Sequence, residues 1–97
     1  MDWLGLLRER GNLARRMTKE IDDLLETHEF TADQVDRLFV AVNKHCLSME
    51  RIIERLKQEN ASERICSLAE SVHHIWKILA EEIDNRLIDM QRRQNQA

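Results

Sequence analysis

The chain contains no proline, and its only two glycines, Gly5 and Gly11, fall within the first eleven residues. Proline presets φ for turns, and glycine supplies the positive φ that tight loops need. From residue 12 onward this sequence therefore has few means of building hairpins, bulges or phosphate-cradling loops. It has instead three long stretches in which apolar residues recur at steps of three and four, the spacing that lines one face of an α-helix. No stretch alternates in the manner of a half-buried strand. The pattern predicts an all-α chain with little room for a catalytic pocket, and by itself it names no reaction.

The first helix is expected over residues 2–27, with the stripe Trp3, Leu6, Leu7, Leu13, Ala14, Met17, Ile21, Leu24 and Leu25. Gly11 lies inside it at a cost of roughly 1 kcal/mol against alanine, and marks either a bend or a close approach. A break follows over residues 27–31. Thr31 is placed to cap the second helix, with Gln34 completing a capping box, and Phe30 and Val35 have the spacing of a hydrophobic staple. The second helix is expected over residues 32–59. Val35, Val42, Met49 and Leu56 stand seven apart, the coiled-coil period, and Leu38, Phe39, Cys46 and Ile53 fill the seam between them. Asn60 is expected to cap the third helix, with Glu63 in the capping-box position.

The third helix is expected over residues 61–94, with the stripe Ile65, Leu68, Ala69, Val72, Ile75, Trp76, Leu79, Ile83, Leu87 and Met90. Ile78 and Ile88 lie off that stripe, and the widened apolar face hints at a second contact surface. The tail from Gln91 to Ala97 is expected to fray. Helices of this size are roughly 40–50 Å long. Short connections make successive helices antiparallel, so the expected architecture is one up-down-up three-helix bundle over residues 1–97, with coiled-coil character.

At 97 residues, the chain is expected to form a single domain with one modest core. The apolar residues are periodic rather than sparse, which argues against disorder. No apolar run approaches the ~18 residues that cross a bilayer. Met1-Asp2-Trp3-Leu4 carries an acid where an export signal needs lysine or arginine, so an intracellular, cytoplasmic location is expected. Cys46 and Cys66 then read as reduced thiols, and the acceptor-like Asn60-Ala61-Ser62 carries little weight. The net charge of -3 gives the whole chain no general pull on nucleic acid. The charge is nevertheless in blocks. Arg8, Arg10, Arg15, Arg16 and Lys19 face only Glu9, and are followed by Glu20, Asp22, Asp23, Glu26, Glu29, Asp33 and Asp36. Such blocks favour a complementary block within the fold or on a neighbour.

Chemistry has few footholds. His74-Ile75-Trp76-Lys77 resembles the phospho-accepting H-x-x-K of histidine phosphotransfer domains. That resemblance implies His74 as nucleophile and Lys77 as the charge that meets the phosphate. The family usually has glycine after the lysine, and Ile78 stands there instead. His45, Cys46, Cys66 and His73 could be imagined around a metal, but no close ligand pair marks a turn, and both cysteines fall on or beside apolar stripes. Asp22-Asp23 and Glu81-Glu82 are adjacent on helices and point about 100° apart, so neither pair makes a catalytic dyad. Arg8, Arg15 and Lys19, with Arg16 nearby, form a basic face without the aromatics that stack bases. Lys19 with Asp23, and Arg16 with Glu20, have the spacing of intrahelical pairs that would absorb part of that charge.

Arg8-Glu9-Arg10-Gly11-Asn12-Leu13-Ala14-Arg15-Arg16-Met17-Thr18-Lys19 gives an arginine-x-arginine-glycine start, a basic stretch, then threonine and lysine. Phe30-Thr31-Ala32-Asp33-Gln34-Val35 and a heptad helix from Val35 to Leu56 follow. This succession, roughly residues 8–57, resembles the helical segment near the start of Gag polyproteins of Bel/Pao-type retrotransposons. The resemblance does not reach the third helix. It implies a non-enzymatic role in particle assembly, with protease and reverse transcriptase encoded downstream.

The expected function is thus a helical protein–protein interaction module acting by helix packing and self-association, as a homodimer or larger assembly. It is expected to need no cofactor, no metal and no small-molecule substrate. Nucleic acid is a disfavoured partner, through Arg8, Arg15, Arg16 and Lys19. Val35, Phe39, Val42, Met49, Ile53 and Leu56 are the expected seam, and Trp76, Ile78 and Ile88 the expected second interface. Phosphotransfer through His74 and docking of a partner helix by a small adaptor are the alternatives.

Overall fold

The computed structural model describes residues 1–26 and 30–95. They form three helices, α1 (Trp3–Glu26), α2 (Ala32–Gln58) and α3 (Glu63–Asn95). Asp2 is the cap of α1 rather than its first residue. Its carboxylate accepts the Gly5 N–H at 3.0 Å, and its carbonyl accepts the Leu6 N–H at 3.1 Å. The expected end at residue 27 lies outside the described residues. The capping box at Thr31 forms in full. Gln34 N–H donates to Thr31 Oγ1 at 3.2 Å, and Thr31 N–H donates to Gln34 Oε1 at 3.0 Å.

The second turn departs from expectation. Asn60 sits in the left-handed region at φ 53 and closes α2 instead of opening α3. Asn60 N–H donates to the Lys57 carbonyl at 3.2 Å, and Ala61 N–H to the Leu56 carbonyl at 3.0 Å. This pair of bonds is the Schellman closure, and asparagine tolerates its left-handed position better than most residues. An N-cap needs extended φ and ψ, so one residue cannot do both. Ser62 takes over the capping, its hydroxyl accepting the Ile65 N–H at 3.3 Å. Hence α3 starts at Glu63 rather than residue 61. At its other end α3 reaches Asn95, one residue beyond the expected end.

α1 and α3 run parallel: Gly11 faces Val72, and Arg86 Nη2 donates to the Leu25 carbonyl at 3.4 Å. α2 runs against both, with Trp3 near Glu59, Arg10 near His45, and Glu50 near His73. The fold is therefore an up-down-up bundle. α3 packs closely on both neighbours, while among the described residues no α-carbon of α1 comes within 8 Å of one in α2. Side-chain size explains the asymmetry. Gly11, which faces Val72, permits close approach of α1 and α3, whereas Trp3, Arg10, His45 and Arg55 are long enough to bridge α1 and α2 from farther apart.

The core is Leu7, Ala14 and Ile21 from α1; Val35, Val42, Cys46, Met49 and Leu56 from α2; and Ala69, Val72, Trp76, Leu79, Ala80 and Ile83 from α3. Each large side chain sealed here stabilises the fold by about 1.5–3 kcal/mol. The chain is a rod of 54 × 21 × 16 Å. Its radius of gyration of 15.8 Å exceeds the ~13 Å of a compact chain this long. A thin core and long outer faces follow directly.

Candidate interaction surfaces

The heptad seam of α2 is filled from within the chain. Val35, Val42, Met49 and Leu56 are each 0% exposed, and Phe39 and Ile53 are half-buried against the same core. The expected second interface separates into three places. Trp76 is also 0% exposed, so it belongs to the core and not to an outer surface. It occupies the centre of the α3 stripe, with its neighbours Val72, Leu79, Ala80 and Ile83. Ile78 and Ile88 remain 43% and 38% exposed. Ten residues apart, they point about 80° apart around the helix and lie about 15 Å apart along it. Ile78 borders a shallow hollow of about 120 Å³ lined by Thr18, Ile75, Leu79 and Glu82. Two further exposed apolar residues, Val40 and Leu47, stand seven apart on the outer side of α2. The signal that singles out Ile78, an apolar residue off the main stripe, applies to both.

Trp76 has a partner that the sequence pattern does not disclose. The His45 ring stacks on its indole, with centroids 4.4 Å apart and an interplanar angle of 14°. Arg10 Nη1 lies 3.3 Å from His45 Nδ1. Arginine only donates, so Nδ1 is the acceptor and the ring proton sits on Nε2. Burial first, and the Arg10 charge second, hold the His45 pKa below its ordinary value. Trp76 Nε1–H is buried and meets no acceptor among the described residues. At the end of the bundle, Trp3 Nε1 donates to Glu59 Oε2 at 3.1 Å, and Arg55 pairs with Glu59 at 3.3 Å while lying 6.0 Å over the Trp3 ring. These contacts tie α1 to the end of α2, although their exposure limits the ion pair to less than about 1 kcal/mol.

Between α2 and α3 lies a groove of about 300 Å³ that includes Phe39, Cys46, Glu50, His73, Lys77 and Asp84. His73 Nε2 is 3.6 Å from Glu50 Oε1. Burial pushes the Cys46 thiol pKa up, helped by the Glu50 charge and opposed by its own backbone hydrogen bond and by Lys77. Such a thiol stays protonated and is a poor nucleophile. Cys66 points elsewhere, with Sγ 3.8 Å from the Ala61 carbonyl. His45 is engaged by Trp76, so the four imagined metal ligands do not converge. Among the described residues, no three His, Cys, Asp or Glu side chains are grouped to hold a metal ion.

His74 is exposed on the outer side of α3, and Lys77 and Ile78 are exposed beside it. Glu81 borders the α2–α3 groove, whereas Glu82 borders the α1–α3 side with Asp22 and Arg86. Adjacent carboxylates thus serve different surfaces. Arg8, Arg15, Arg16 and Lys19 are all exposed. Among the described residues Arg55–Glu59 is the ion pair, with His73 in contact with Glu50, so the expected Lys19–Asp23 and Arg16–Glu20 pairs do not form. Among the described residues, no charged side chain of α1 takes part in these pairs, and Arg86 of α3 borders the same hollow as Asp22 and Glu26. No helix of the described residues is long and apolar enough to cross a membrane.

The chain matches no family model, no curated protein and no solved structure.

Proposed function

We propose that this chain is a non-enzymatic helical interaction module that works through the outer faces of its bundle and associates with copies of itself, as an assembly segment of the Gag type would. One observation carries the reading. The heptad seam is sealed within the chain, yet Val40, Leu47 and Ile78 stay more than two-fifths exposed on the outside of rigid helices. Such side chains are inexpensive to expose singly, and gain stability when a second helix covers them. Mass measured by light scattering over a wide concentration range tests this. A rise from one chain toward two or more supports it. A single-chain mass throughout removes self-association and leaves docking of a different helix as the working mode. A downstream reading frame with aspartic-protease and polymerase motifs would support the retrotransposon origin.

The exposure of His74 favours one second reading, histidine phosphotransfer. Incubation with a phosphodonor kinase and intact-mass analysis decides it. A phosphoryl adduct that disappears in His74→Gln supports phosphotransfer, and no adduct in the parent eliminates it.

A further inference from the structure

Where α1 and α2 hold their backbones apart, a hollow of about 260 Å³ opens between them. Arg10, Arg51 and Arg55 border it, and among the described residues no aspartate or glutamate does. Arg10 is half-buried, and the residues one turn away on α1, Leu6, Leu7, Leu13 and Ala14, are all apolar. The partner it meets is the uncharged His45 ring. Arg51 is exposed, and among the described residues it pairs with no carboxylate. Arg55 gives its Nε to Glu59 at 3.3 Å, one of the five donors that a guanidinium carries. The other acids nearby are engaged elsewhere or stand apart. Asp2 caps the Gly5 N–H, and Glu50 meets His73 in the groove between α2 and α3. Glu9 and Glu54 are exposed and pair with none of the three arginines. Glu59 alone thus offsets the three guanidiniums, and two positive charges at the hollow stay without a counter-charge. A half-buried cation in that state is costly, and an incoming anion relieves it.

The rest of the lining is mostly apolar. Trp3, Leu6 and Ile52 are half-buried there, and Ser48 adds a hydroxyl. Trp3 is held in place, its Nε1 donating to Glu59 at 3.1 Å with Arg55 6.0 Å over its ring. Planar guanidinium forks match the oxygens of a phosphate group. A phosphomonoester carries about -1.5 to -2 charge at pH 7, enough to meet both uncompensated cations. A carboxylate or a phosphodiester, with one charge, leaves one of them standing. Bare phosphate leaves the apolar wall in water, whereas an ester with an apolar body covers Trp3 and Ile52 as well. The hollow is just smaller than the ~300 Å³ at which pockets for drug-sized ligands begin, so the part of the body seated in it is small, one ring or a short chain.

We infer that the α1–α2 hollow binds a phosphomonoester carried on an apolar group, with Arg10, Arg51 and Arg55 on the phosphate and Trp3 against the apolar part. The inference does not depend on self-association. Titration with phenyl phosphate at low salt tests it, read by calorimetry and by the two indole N–H resonances. Binding should saturate at millimolar concentrations, shift the Trp3 resonance and leave that of Trp76 in place. Phenyl phosphate should bind more tightly than inorganic phosphate, which lacks the ring, and than benzoate, which lacks the second charge. Arg51→Gln, at an exposed position that the fold does not need, should weaken binding at least about tenfold, since a hydrogen bond to a charged group is lost. Arg10→Gln should do the same with helix content unchanged by circular dichroism. Arg16→Gln removes an equal charge from an exposed position outside the hollow and should bind as the parent does. Vesicles with and without phosphatidic acid distinguish the source of the ester. Retention on the acidic vesicles that Arg51→Gln abolishes supports the site with a lipid headgroup as its ligand, and binding of phenyl phosphate without retention supports it with a soluble ester. Absence of saturable binding, equal binding by Arg51→Gln and the parent, or phenyl phosphate no tighter than inorganic phosphate would each overturn the inference.

Discussion

Trp76 offers the sharpest test of the core. It is 0% exposed, stacks on His45, and carries an Nε1–H with no acceptor among the described residues. Trp76→Phe deletes two carbons and that nitrogen. The lost carbons cost about 1.6 kcal/mol at ~0.8 kcal/mol per buried carbon, and imperfect collapse of the space adds roughly another 1 kcal/mol. Against this, removing a buried donor that has no partner relieves about 1–3 kcal/mol. A phenyl ring also retains a surface for the His45 stack, worth about 0.5–1.5 kcal/mol. The terms nearly cancel, so Trp76→Phe should change stability by no more than about 1 kcal/mol, whereas Trp76→Ala should cost about 3–5 kcal/mol. Urea unfolding followed by far-UV circular dichroism separates the two, with the slope on denaturant unchanged for the phenylalanine variant. A loss of about 3 kcal/mol or more for Trp76→Phe would show that the indole N–H makes a stabilising bond, and the reasoning would fail.

Three more outcomes follow from particular side chains. A Cβ at Gly11 would lie 3.5 Å from Val72 Cγ2, an ordinary contact, so Gly11→Ala should raise stability by up to about 1 kcal/mol in the same urea assay; a loss would mean that α1 and α3 need the glycine for closer approach. His45 has a lowered folded-state pKa, so the unfolded chain binds more protons below about pH 6.5 and the stabilising contribution, complete above that, is lost as pH falls through the folded value. Melting curves from pH 8 to 5 should therefore decline more steeply for the parent than for His45→Phe, and parallel curves would contradict the assignment. Val42→Asp places an unpaired charge at a site that is 0% exposed and should unfold the chain at a cost of several kcal/mol, whereas a stability equal to the parent's would overturn the seam.

The elements that could be read from the sequence are those fixed by local chemistry. Apolar spacing placed all three helices, and Thr31 with Gln34 marked a helix start because both capping partners lie within four residues. Asn60 shows where such reasoning stops. Its side chain suits an N-cap and its backbone suits a left-handed closure, and the choice depends on Ala61 and Ser62 being able to complete the two structures on either side. The surfaces were harder still. Trp76 and Ile78 are two residues apart and lie on opposite sides of α3, and Trp76, which is on the main stripe, is the one sealed, so the stripe itself argued against an outer role for Trp76. The His45–Trp76 stack and its Arg10 neighbour join three helices, and no spacing within one helix announces them. The charge blocks of α1 were plain in the sequence. That the acidic block shares a hollow with both Glu82 and Arg86 became apparent only once α1 and α3 were seen to run parallel.

The central claim is self-association through the outer faces of the bundle, and a distance between copies tests it most directly. With Cys46 and Cys66 replaced by alanine, spin labels placed one at a time through Val40→Cys, Leu47→Cys and Ile78→Cys should report a short distance between two copies at one position or more. No signal between copies at any of the three would contradict the account.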